Sequence, residues 1–198
     1  MRIKFDAIGI LLCISIFSSG CTGMKVVVNP SPELLKNEFS QKFNTVSVKE
    51  MPAIKIYPPA GWIAQDFARE LEISGFVKAV YFPSRPDDKA DAILESKFEV
   101  EMEPHLGKSM LKAFFTGFTF FILEPVFWYN FDYTFTSTVD VVYGNKRIPV
   151  TAKTNSSLSL KWLSLFQAQK NEAELIKDSK LSMFRQLIDK INNQETKT

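Results

Sequence analysis

Alternation of apolar and polar residues is clearest over residues 92–104. Leu94, Phe98, Val100 and Met102 fall on one side, and Glu95, Lys97, Glu99, Glu101 and Glu103 on the other. Such a period of two predicts a strand with one face buried and the other wet. A second alternation sets Phe131, Tyr133, Phe135, Val139, Val141 and Tyr143 against Asp132, Thr134, Thr136, Thr138 and Asp140. Gly144-Asn145 then reads as a two-residue hairpin turn with glycine first, and Arg147 to Leu160 as the returning strand. Shorter strands are predicted at Ala53 to Tyr57, where Ile54 and Ile56 flank Lys55, and at Val77 to Phe82.

Elsewhere the period lengthens to that of a helix. Trp62, Phe67, Ala68 and Leu71 share one face of a segment ending near Ser74, with Gly75 placed as a C-cap glycine. Leu175, Ile176, Ser179, Met183, Leu187, Ile188 and Ile191 form an i, i+3/i+4 stripe over 172–191. Asn29-Pro30-Ser31-Pro32 is a loop signal, followed by a short amphipathic piece from Glu33 to Phe43. The order of elements predicts an α/β (α+β) domain over residues 45–193. It has a single mixed sheet, a long antiparallel hairpin and helices packed on one face. Residues 21–44 read as a tether and lead-in, 108–130 as an aromatic insert, and 194–198 as a frayed tail.

The insert leads into residues 111–131, LKAFFTGFTFFILEPVFWYNF, which hold nine aromatic residues and no charge from Ala113 to Leu123. A membrane-crossing helix needs about 20 apolar residues. Here Lys112 and Glu124 bracket 11, and Pro125 would break a helix just beyond. The strands on either side also belong in one sheet, which a crossing would prevent. Three readings stay open: a large contribution to the core, an exposed surface for a membrane or a partner, or a pocket for a small apolar ligand. The candidate surface residues are Phe114, Phe115, Phe118, Phe121, Phe127, Trp128 and Tyr129.

The start of the chain has a different logic. Arg2 and Lys4 precede an apolar run from Ala7 to Phe17, and Ser18, Ser19 and Gly20 follow it, the layout of a signal peptide over residues 1–20. Ser18-Ser19-Gly20-Cys21 resembles the lipobox of bacterial lipoproteins, with Ser18 standing where Leu is usual. The resemblance implies that Cys21 is lipidated, with acyl chains such as palmitate, and becomes the first residue of the mature chain. Thr22 in place of Asp implies the outer membrane, facing the periplasm. Each buried methylene contributes about 0.8 kcal/mol, so two or three chains hold a protein durably.

A second resemblance lies at Lys89-Ala90-Asp91-Ala92-Ile93-Leu94, followed by the hairpin and the last helix. These are similar to the N-terminal domain of TolB and to related envelope lipoproteins, including activators of penicillin-binding proteins. The likeness would run over 45–193. It implies a periplasmic interaction module and brings no catalytic residues with it.

Charge and chemistry narrow the function further. The formal net charge of +2 becomes +1 once Arg2, Lys4 and Asp6 leave with the leader. The cations are scattered, which gives a nucleic acid no basic stripe to follow. Cys13 leaves as well and Cys21 carries lipid, so no thiol remains for a disulfide, a metal or catalysis. His105 is the single histidine, too few for a usual zinc site. Glu95, Glu99, Glu101 and Glu103 could be imagined as a hydrolytic carboxylate pair, yet they sit where a strand shows its wet face. The expectation is therefore a non-enzymatic, lipid-anchored envelope protein without cofactor or metal. It would contact the membrane through Cys21 and act by binding a protein partner in the envelope. The alternative is a periplasmic carrier of a lipid or small apolar ligand.

Overall fold

A computed structural model describes residues 23–53, 55–57, 61–104, 111, 114, 128–161 and 168–194. Six strands form one mixed sheet: β1 (Met24–Asn29), β2 (Phe43–Glu50), β3 (Val77–Tyr81), β4 (Ala92–Pro104), β5 (Tyr129–Tyr143) and β6 (Lys146–Leu160). Their order across the sheet is β1-β6-β5-β4-β2-β3. Among the described residues lie the helices α1 (Ile63–Ile73) and α2 (Ala168–Gln194), and a 3-10 turn spans Pro32–Leu34. The predicted fold class is the observed one.

The chain clusters into two compact units. The larger comprises Val28–Met102, Tyr133–Ser156 and Leu175–Thr198. Within it β2 runs parallel to both β3 and β4, with Val46 opposite Val80 on one side and Ala92 on the other. Its core face carries Val46, Val48, Leu94, Phe98, Phe135, Val139 and Val141, all buried. Both helices lie on this face. Phe67 of α1 meets Phe98 of β4 at 5.7 Å and Phe184 of α2 at 5.3 Å, and Phe98 meets Phe184 at 6.0 Å. The opposite face is held by charge. Glu95 pairs with Lys49 of β2 and Arg147 of β6, and Arg147 also reaches Asp140 of β5.

Two expectations need correction. The segment read as a tether holds β1, and β2 begins just before its end. The strand expected at 53–57 is absent among its described residues, where the backbone is irregular; Ile54 lies outside them. Pro52 donates no hydrogen bond to a ladder, and Pro58 and Pro59 close the segment. It nevertheless keeps to the side of β4. Lys55 C=O accepts from Val100 N–H at 3.0 Å, and Lys55 pairs with Glu101 across the same 46-residue separation that sets Lys49 against Glu95. Residues 55–57 thus continue the β2 register without continuing its ladder.

Asp91 explains why its stretch stands out. Its Oδ2 accepts from Asn44 N–H at 2.8 Å and Thr45 N–H at 3.0 Å. Its own N–H donates to Thr45 C=O at 2.9 Å. The side chain thereby joins the start of β4 to the start of β2. On the edge strand β3, Val80 N–H donates to Glu72 Oε1 at 2.9 Å.

The smaller unit comprises Met1–Val27, Glu103–Asp132 and Ser157–Glu174. Its described strands are the first residues of β1, the last of β4, the first of β5 and the last of β6. The two-residue turn at Gly144-Asn145 makes β5 and β6 antiparallel, so Tyr129 and Leu160 share one end of the sheet. Lys161 N–H donates to Gly23 C=O at 3.0 Å, which brings the start of β1 to that same end.

Candidate functional site

Of the aromatic candidates, Phe115, Phe118, Phe121 and Phe127 lie outside the described residues, as do Cys21 and the leader. The remaining three differ in burial. Tyr129, expected outside, is buried at 8% exposure. It opens β5 with the parity of Tyr133 and Phe135, so the alternation of the strand turns it inward. Phe114 is 69% exposed, and its neighbour Leu111 is 62% exposed. Trp128 is half-buried and stands one residue before β5.

Two residues that sequence reasoning missed meet Trp128. The Lys161 ammonium lies 5.3 Å from the indole centroid, a cation–π contact. Gly23 fills the gap beside both. A Cβ added there would stand 3.2 Å from Trp128 Cη2 and 3.2 Å from Lys161 Cδ, tighter than side chains ordinarily pack. The site is therefore a small platform in which indole, lysine stem and bare backbone fit together. No sequence signal links positions 23, 128 and 161; only the ends of three strands bring them into reach.

A second feature belongs to the larger unit. A groove of about 510 Å³ runs between α1 and α2, lined by Asp66, Arg69, Glu70, Lys177, Lys180 and Phe184 among others. Ile73 stands on its rim at 65% exposure. Lys180 pairs with Asp66. Burial pushes the Glu70 carboxyl above its ordinary range, and the Arg185 guanidinium pulls it back. Arg185 Nε stands 3.6 Å from Glu70 Oε1, while its Nη1 donates to Pro32 C=O at 2.8 Å. This arrangement pins α2 to α1 and to the turn after β1.

Three of the four candidate carboxylates of β4 are engaged in ion pairs: Glu95 with Lys49 and Arg147, Glu99 with Lys97, and Glu101 with Lys55. Among the described residues no group of three or more His, Cys, Asp or Glu could hold a metal ion. His105 lies outside them. No described helix is long and apolar enough to cross a membrane.

No family model matches this chain, and no curated protein matches it. Solved structures share its chain path at a distance. The rare lipoprotein B from Shewanella oneidensis is similar at 13% identity and a TM-score of 0.46, over 78% of this chain and 98% of that one. A PelC dodecamer from Paraburkholderia phytofirmans is similar at 14% identity and a TM-score of 0.34, over 83% and 98% of the two chains. A second crystal form of PelC gives 0.32 at the same identity. Likeness this distant carries no argument about activity.

Proposed function

We propose that this chain is a lipid-anchored protein of the bacterial envelope that works by binding another envelope component, without catalysis. Cys21 carries the acyl chains, and the domain faces the periplasm from the outer membrane. The observation that supports this most is the join between leader and fold. Cys21 ends a lipobox-like stretch, and two residues later the Gly23 carbonyl already accepts a hydrogen bond from Lys161. The cleavage point read from Ser18 to Cys21 thus coincides with the onset of the sheet. A cut elsewhere would either leave apolar leader attached to β1 or remove part of that strand.

The carrier reading lacks comparable support. The groove between α1 and α2 mixes charged Asp66, Arg69, Lys177 and Lys180 with apolar Ile73, Leu181 and Phe184, and two of its charges, Asp66 and Lys180, pair with each other. Cell fractionation with labelled palmitate tests the proposal. The natural chain is expected to sediment with outer membranes and to take up label, and Cys21→Ser to take up none. A natural chain that carries no label at all would overturn it.

A further inference from the structure

We infer that the platform of Gly23, Trp128 and Lys161 sits in the headgroup layer of the membrane that holds the anchor, so that the domain contacts a lipid surface as well as being tied to it. The inference rests on the lipidation of Cys21. It adds a protein surface to that reading and gives the surface one occupant, the bilayer itself.

Reach is the first argument. One residue, Thr22, separates Cys21 from Gly23, and the two steps between them span at most about 7 Å when fully extended. The headgroup region is about 5–8 Å deep on each side of the hydrocarbon core. The lipidated cysteine lies at the glycerol level, where its acyl chains enter the core. Gly23 therefore lies within or at the outer boundary of the headgroups. Its carbonyl accepts from Lys161 N–H at 3.0 Å, which ties this point to the rest of the platform.

Whatever touches Gly23 shares its depth. Trp128 Cη2 and the Lys161 stem close directly on the glycine, at 3.2 Å from the position a Cβ would take. Tryptophan favours this depth, since its ring is apolar and its N–H is polar. A lysine beside it can lay its methylenes along apolar surface while its ammonium reaches towards phosphate. Here the ammonium lies over the indole face, 5.3 Å from its centroid. Phe114 and Leu111, both mostly exposed, belong to the same compact unit. An unmodified Gly23 matters because a side chain there would push Trp128 and Lys161 apart.

The test uses the full acylated chain with Trp62→Phe and Trp162→Phe, which leaves Trp128 as the single tryptophan. It is reconstituted into phosphatidylethanolamine–phosphatidylglycerol vesicles with or without bromine on the acyl chains, and vesicle flotation is recorded alongside. The expected result is a chain that floats and whose Trp128 emission falls in brominated vesicles. A chain that floats with unchanged emission would overturn the platform's seat and leave the anchor standing. A chain that neither carries acyl groups nor floats would overturn both. Should the double variant fold poorly, oxidative footprinting of the natural chain replaces it. Trp128 oxidation is then expected to drop in vesicles relative to soluble Cys21→Ser, and equal oxidation would overturn the inference.

Discussion

The two helices lie on the same face of the sheet yet are held there by different means. The shorter, α1, is seated by rings: Phe67 is fully buried and packs against Phe98 and Phe184. The longer, α2, adds a seam of hydroxyls. Ser179 Oγ donates to Leu175 C=O at 2.7 Å and meets Ser156 Oγ at 2.8 Å. Ser182 Oγ donates to Pro30 C=O at 2.6 Å and lies 3.4 Å from Thr154 Oγ1, which also accepts from Gln186. Ring packing is tolerant in direction and large in energy. Hydroxyl pairing is small in energy and strict in direction, because a buried oxygen out of line is left unpaired. Small side chains also let α2 approach β6 closely. The comparison suggests that rings set the stability of the larger unit, while serines set the rotation and height of its long helix.

The largest test of that division is Phe67→Ala. It removes the ring common to two of the three contacts in the cluster, with an expected loss of about 3–5 kcal/mol in urea unfolding. Ser182→Ala should cost less, about 1–3 kcal/mol, because Pro30 C=O loses its buried donor. Its distinguishing sign would be faster amide exchange in α2 at a stability loss smaller than that of Phe67→Ala. A loss as large as that of Phe67→Ala would mean the seam carries stability and not merely placement. Ser137 gives the smallest effect. It is buried on the core face of β5, with an Oγ that has no hydrogen-bond partner. Ser137→Ala removes an unpaired polar atom, so the protein should be unchanged or up to about 1 kcal/mol more stable. A clear destabilisation would show that this hydroxyl belongs to the same functional seam as Ser156 and Ser179.

Elements with two wet-and-dry sides were legible from their residues. β4, the β5–β6 hairpin, α1 and α2 each repeat their apolar positions over at least one full period, and the structure turns most of those positions inward. Trp62, read onto the buried face of α1, is instead 76% exposed, because the helix starts after it and leaves it at the N-cap. β1 and β2 were not. Met24 to Asn29 is six residues long and uniformly apolar at its centre, without alternation to mark it. β2 carries only Val46 and Val48 as inward apolar residues, and between two parallel neighbours its identity comes from partners distant in sequence. Ile54 and Ile56 gave a louder alternation nearby, and Pro52 cancelled it. The candidate site followed the same rule. Aromatic density drew attention to Trp128, but Lys161 and Gly23 are each ordinary in isolation. Their relation exists only once β1, β5 and β6 reach the same end of the sheet.

Asp91 has a consequence for which of several alignments the chain accepts as it folds. β2 and β4 must find each other across 46 residues. A slip of one residue would turn Val46 and Val48 to the wet face while leaving much of the ladder intact. A carboxylate that grips two successive amides, at Asn44 and Thr45, offers those bonds in one alignment only. It works as an index mark that favours one register over its near misses.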